Sequence, residues 1–224
     1  MPPPSPDWVL EISLDLDMVS AVCPNCHILL VEANTNLDSD LYTAEDTAAR
    51  LGGNAISNSW GGSEYSRAAA GPAAGRTRPG AGRAAVAGAY ESKPSWQTDS
   101  GCARRTVSDV SAVADPNTGV AVLYAGLWFT VGGTSASSPI VASVYALAGN
   151  AGSVNAGSYP YSHTSGLFDV TIGSNGTCSP TTSAMGGRAT TARPVSERRT
   201  ASRASSASER GPARTGPRFA KLPA

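Results

Sequence analysis

The apolar positions of the chain fall into short blocks with different periods. From Trp8 to Val22 they recur at helical spacing, so the segment reads as a helix with Glu11, Asp15, Met18 and Val22 on one face. His27 to Ala33 contains the unbroken run Ile-Leu-Leu-Val and reads as a buried strand. Leu41 to Leu51 reads as a helix stopped by Gly52-Gly53, and Ala55 to Ser59 as a second short strand. Strand, helix and strand in that order predict a right-handed crossover in a parallel sheet. Val107 to Val113, Val120 to Tyr124 and Trp128 to Val131 supply further strand candidates. From Ile140 the chain is apolar almost without interruption and reads as a buried helix, ended by Gly149-Asn150. The fold class that follows is α/β, a parallel sheet flanked by helices.

Two tracts break the pattern. Residues 66–89 are largely Ala, Gly, Arg and Pro without periodicity, and from about Thr181 to Ala224 the chain turns to Arg, Ser, Ala, Thr and Pro. The second tract has the composition of a disordered tail. The organisation expected is one folded domain over 1–180, interrupted at 66–89, and a tail over 181–224.

Composition narrows the function. A chain of 224 residues can bury one substantial core. Its 17 basic and 17 acidic side chains balance to a net charge of zero, which argues against a polyanionic partner such as nucleic acid. The Arg-rich tail lacks the aromatic interleaving of a nucleic-acid binder. No apolar run is long enough for a transmembrane helix. Met1-Pro-Pro-Pro-Ser-Pro has neither the basic nor the apolar part of a signal peptide.

The most informative stretch is Gly-Gly-Thr-Ser-Ala-Ser-Ser-Pro, Gly132 to Pro139, which leads into the apolar helix. Ser135 would sit at a helix N-terminus, where unpaired N–H groups and the macrodipole favour negative charge. The same stretch also reads as a plain N-cap, Thr134 or Ser135 starting the helix. A serine nucleophile needs a base. His27 and His163 are the only histidines, and His27 leads directly into a strand. Glu11 and Asp15, four residues apart on one helix face, are the other option. A carboxylate pair on a largely apolar face is costly, so it is either solvated or functional.

Glu-Ile-Ser-Leu-Asp at Glu11 to Asp15, Ser-Asn-Ser-Trp-Gly-Gly at Ser57 to Gly62 and Gly-Thr-Ser-Ala-Ser-Ser-Pro at Gly133 to Pro139 together resemble the sedolisin family, the serine-carboxyl peptidases. The resemblance runs through Trp8 to Glu64 and Tyr90 to Cys178, and is nearest to secreted actinobacterial members. It implies a subtilisin-like fold, here incomplete, and an endopeptidase acting at acidic pH. It also implies a secreted monomer whose partners are its protein or peptide substrates. Ser135 would be the nucleophile, Glu11 the general base and Asp15 its orienter. Ser57, Ser59, Trp60 and Gly61 would bind substrate. The family also carries a long propeptide, which this sequence lacks.

The resemblance further implies a calcium ion, with Asp169 giving a carboxylate and Val170 a carbonyl. Its remaining ligands, glycine carbonyls and a second aspartate, have no counterpart in the visible sequence. The Gly-Asp-x-Gly segment whose aspartate helps hold the oxyanion is absent from the tract beginning at Ser66. Both gaps have one explanation in the genetic code. Taking the third base of each codon with the first two of the next, Arg188 to Ala201 permits Gly-Tyr-Asp-Gly-Pro-Thr-Gly-Leu-Gly-Thr-Pro-Asn-Gly, the segment expected after the family's serine. The same shift over Pro79 to Ala87 permits Trp-Ser-Gly-Ala-Gly-Ser-Gly-Cys. The two tracts therefore read as out-of-frame translation. The competing functional reading is a non-catalytic pseudoenzyme, or gene remnant, with a basic disordered tail.

Of the four cysteines, Cys23-Pro-Asn-Cys26 could form a local disulfide, a redox motif or half a zinc site, and no second pair completes a zinc site. A secreted family favours the disulfide. Cys102 and Cys178 flank the aberrant tracts, and Asn175-Gly-Thr is a glycosylation sequon.

Overall fold

Helix α1 spans Pro6–Val22, and Leu14, Met18 and Val19 are its buried apolar residues. A computed structural model describes residues 6–61, 86–98, 103–107, 109–170, 189–192 and 218–222. Strand β1 (His27–Leu30), helix α2 (Asp38–Arg50) and strand β2 (Ala55–Asn58) follow α1. Next come β3 (Val86–Ser92) and β4 (Arg104–Val107), an antiparallel pair. Strands β5 (Val120–Tyr124) and β6 (Leu127–Val131) form a hairpin whose two-residue turn, Ala125-Gly126, has positive φ at both positions. That conformation matches strand twist across a tight hairpin. Helix α3 (Thr134–Ala148), the single turn α4 (Tyr159–Ser162), β7 (Leu167–Val170), β8 (Ala189–Ala192) and β9 (Arg218–Leu222) complete the order.

The molecule is a mixed α/β structure with small sheets. One is parallel and three-stranded in the order β1-β9-β2, and the other three are antiparallel pairs. The expected parallel sheet is thus present only in part, because β5 and β6 pair with each other through their tight turn. Nor do β1 and β2 pair directly: β9 lies between them, Phe219 opposite both Ile28 and Ala55. Two short pieces of 181–224 are described. Within that tract Ala189–Ala192 pairs with β7 and Arg218–Leu222 joins the parallel sheet. A strand needs only a short extended run with edges to pair to, and β1 and β2 offer two. The rest of the tract, most of 66–89, Cys102, Cys178 and Asn175 lie outside the described residues.

Strand β1 differs from its reading in burial. Its apolar run predicts an interior strand, yet Ile28 and Leu30 are over a third exposed. A parallel strand is buried only when helices cover both faces. Helix α2 supplies cover on one side, its Leu41, Ala44 and Ala48 packing with Ala33, Leu29, Val31 and Ile56.

Two further clusters join α1 to α3. Leu14 and Met18 meet Val122 and Ala136, with Leu10, Val120, Val131 and Ile140 around them. Val19 meets Ala55, Ala142 and Ala146. Burying a side chain such as Leu14 contributes about 1.5–3 kcal/mol. The hairpin is also tied to α1 by a hydrogen bond, Leu123 N–H donating to Asp17 Oδ2 at 2.7 Å. At its C-terminal end α1 is closed by a disulfide between Cys23 and Cys26, which selects the local bridge from the three readings of that motif.

A buried polar network fixes the middle of the chain. Arg105 donates from both terminal nitrogens to Asp109, at 3.0 Å to Oδ1 and 2.6 Å to Oδ2. Both residues are under 5% exposed. Tyr161 OH and Gln97 Nε2 also donate to Asp109 Oδ1, at 2.9 and 3.3 Å. Burial alone would lower the Arg105 pKa, but the bond to Asp109 and its charge outweigh that and raise it. The network joins three separate stretches of chain. Asp109→Ala would leave a guanidinium buried without its main partner, and should cost about 3–5 kcal/mol of stability. Urea unfolding of the variant checks this. A cost within error of zero would show that the network is incidental.

Tyr145 and Tyr161 are both pushed up to about 12, first by burial. For each, the folded state holds a proton that the unfolded chain releases near the ordinary tyrosine value of about 10. Their contribution to stability is therefore complete below about pH 10 and lost as pH rises toward about 12. A tyrosinate absorbance titration should show a late-titrating class of the chain's 7 tyrosines, with alkaline unfolding in the same window. Titration of all of them together near the ordinary value would contradict this.

Candidate active site

The first turn of α3 is shaped by what precedes it. Gly133 has φ +101°, a conformation that disfavours other residues, and its N–H donates to Ala114 O at 2.6 Å. A Cβ at Gly132 would lie 2.4 Å from Pro116 Cα and N, so only glycine fits there. The segment through Pro116 is itself held by Asp115, whose carboxylate accepts from the Asn117 N–H at 3.0 Å and from Thr118 Oγ1 at 3.2 Å. The Asn117 N–H bond, first among these, lowers the Asp115 pKa.

Helix α3 thus begins at Thr134, six residues before the apolar run. Pro139 falls within it, fully buried. Gly149 ends it in the left-handed conformation, φ 73°, as the sequence implies. Gly133, not Thr134 or Ser135, occupies the cap position, and no side chain caps the helix. The N-cap reading of those two hydroxyls therefore does not hold.

Three serines follow Thr134, and their hydroxyls have different surroundings. Ser137 Oγ donates to Val113 O at 2.9 Å, and Ser138 Oγ donates to Asn58 O at 3.2 Å and lies 3.0 Å from Ser57 Oγ. Ser135 is part-buried, and its hydroxyl has no hydrogen bond among the described residues. Its position in the first turn of a helix of 15 residues keeps the dipole argument.

Glu11 and Asp15 lie one turn apart on α1, whose Leu10 and Leu14 belong to the cluster that holds Ala136. Glu11 and Asp15 are thus carried by one helix of the α1–α3 pair and Ser135 by the other. Asp15 is fully buried and accepts from Ser59 Oγ at 2.9 Å. Glu11 Oε1 is buried and has no hydrogen-bond partner among the described residues. No hydrogen bond joins Ser135 to Glu11 in this state.

The residues expected to bind substrate are placed unequally. Gly61 is exposed with open space around it. Ser59 is bonded to Asp15, and Trp60 packs edge-on against Tyr42, ring centroids 5.6 Å apart. Ser57 is 1% exposed, with its hydroxyl against Ser138. Neither histidine approaches Ser135 through a hydrogen bond. His163 stacks on Tyr159 at 3.8 Å and bonds within its own turn, and His27 is exposed at the start of β1.

Two of the residues that the resemblance assigns to calcium lie among the described residues. Asp169 and Val170 stand opposite Thr190 and Ala189 in the β7–β8 ladder. Among the described residues no cluster of three or more His, Cys, Asp or Glu could hold a metal ion. One carboxylate and one carbonyl fall short of the six to eight oxygens that calcium takes.

No family model matches the chain, and no curated protein matches it. Among solved structures it is similar in part to a Pseudomonas sedolisin (serine-carboxyl proteinase) complexed with two molecules of pseudo-iodotyrostatin. The identity is 35%, over 41% of this chain and 27% of that one, with a TM-score of 0.36. The chain spans little more than a quarter of that neighbour.

The close approach at Gly132 gives a direct test of the turn. Gly132→Ala must push against the Pro116 backbone, which cannot move aside as a side chain would. The variant should lose about 1–3 kcal/mol, the usual cost of overpacking. Thermal unfolding measures it, and an unchanged melting temperature would show that the approach is looser than described.

Proposed function

We propose that the chain carries the catalytic set of a sedolisin-type serine-carboxyl endopeptidase, with the subtilisin-like arrangement that implies. Its substrates are unstructured proteins or peptides, cut at acidic pH. The observation that carries this reading is the α1–α3 seam, with a disengaged serine hydroxyl at one helix N-terminus and two acids on the other helix.

In this mechanism Ser135 Oγ attacks the scissile carbonyl while Glu11 takes its proton. Glu11 then returns the proton to the leaving amine, and water cleaves the acyl-serine by the same steps in reverse. Asp15, held by Ser59, orients Glu11. The N-terminus of α3 faces the developing negative charge. No step is drawn through calcium. The Cys23–Cys26 disulfide suits work in an oxidising, extracellular setting.

The test uses two forms of the protein. The first is encoded by a gene restored to the frame that supplies the Gly-Tyr-Asp segment and the missing residues of 66–87. There Ser135→Ala should abolish cleavage, and Glu11→Gln should reduce it by orders of magnitude. His27→Ala and His163→Ala should leave the chemical step intact. The second form is the chain as it stands, without the oxyanion aspartate, which should turn over about a hundred to a thousandfold more slowly. Assays of an unfolded protein substrate across the carboxylate titration range decide it. A histidine needed for the chemical step, or cleavage surviving Ser135→Ala, would overturn the reading.

A further inference from the structure

The end of β2 touches both helices of the candidate site. On one side Ser59 Oγ donates to Asp15 Oδ1 at 2.9 Å. On the other, Ser138 Oγ donates to Asn58 O at 3.2 Å and sits 3.0 Å from Ser57 Oγ. A serine hydroxyl has one proton to give. Either hydroxyl can be the donor in the Ser57–Ser138 contact. Ser57 is 1% exposed, so its side chain is shut off from bulk solvent. That burial removes it from direct substrate contact and leaves it a different task.

The geometry points to Ser57 and Ser138 as positioning residues, which fix the Ser135 turn of α3 to the same strand end whose Ser59 holds Asp15. They act through the main chain of Ser57 to Ser59. The nucleophile's turn and the acid's helix are thereby referenced to one short segment, and a displacement of that segment moves both. The residue type follows from the geometry: the gap between α3 and β2 is spanned by one hydroxyl on each side, which alanine cannot bridge. Ser137 serves as the internal contrast, because its hydroxyl goes to Val113 O on the opposite flank of the turn.

The positioning role rests on the proposed roles of Ser135, Glu11 and Asp15, but its test is independent of turnover. In the full chain, isotope-labelled carboxyl NMR follows the titration midpoint of Asp15. Ser59→Ala should raise that midpoint, because the carboxylate loses a donor. Ser138→Ala should raise it as well, although the Ser138 hydroxyl bonds to Asn58 and Ser57, and Ser138→Thr, which keeps the hydroxyl, should restore it. In a Ser59→Ala background Ser138→Ala should have no further effect, since its route to Asp15 is already cut. Ser137→Ala should lower the melting temperature and leave the midpoint in place. Should Ser138→Ala fail to fold, Ser138→Cys keeps the volume with a weaker donor and should give the same upward shift. A Ser138 variant that loses stability without moving the Asp15 midpoint would overturn the proposal, as would an equal shift in the Ser59→Ala background. Absence of Ser135-dependent cleavage would instead count against the proposed function, and the midpoint shifts would still decide the positioning role.

Discussion

The close packing of α1 on α3 is the contact on which the candidate site depends. It is made possible by small residues. Ala136, Ala142 and Ala146 present little more than backbone to Leu14, Met18 and Val19, so the two helices approach closely. A larger residue at any of these positions would force the helices apart. The hairpin of β5 and β6 closes the same cluster from the side through the fully buried Val122. Its bond to Asp17 holds α1 and the strands leading to Gly132 in one frame. Packing thus sets the distance between the helices, and hydroxyls at the end of β2 set their register.

Much of this is legible in the sequence where the signal is local. Helix α1, the β5 strand, the stop at Gly149 and the glycine pair before Thr134 follow from periodicity and backbone chemistry within a few residues. The disulfide is one of three readings of Cys23-Pro-Asn-Cys26, and its two positions are evident. The start of α3 at Thr134 agrees with the reading that puts Ser135 at a helix N-terminus, although the stretch before Ile140 is rich in hydroxyls. A helix can begin there because Ser137 and Ser138 bond to neighbouring segments.

What is not legible is long-range. The pairing of β9 with β1 and β2 depends on edges contributed from the other end of the chain, and Arg-Phe-Ala-Lys-Leu is too short to announce it. The Arg105–Asp109 pair has a spacing that the sequence does display. Its burial arises only when Gln97 and Tyr161 converge on it. Likewise the partners of the Ser137 and Ser138 hydroxyls cannot be read from the motif, because they come from the distant segments at Val113 and Asn58. The carboxylate pair reads as solvated or functional, and the full burial of Asp15 removes the solvated alternative for that member.

The hairpin has a consequence for the behaviour of the protein in solution. Among the described residues β6 pairs only with β5, and its other edge has no strand beside it. Leu127 and Trp128 are 64% and 70% exposed, and Leu127–Val131 contains no charge and no proline. Charge and proline are the devices by which natural sheets keep an open edge from pairing with another molecule. An uncharged, β-branched and aromatic strand of this kind is a template for edge-to-edge association. Among the described residues the outer edge of β6 is therefore one place where a second molecule could add a strand, and concentration-dependent self-association would begin from such an edge.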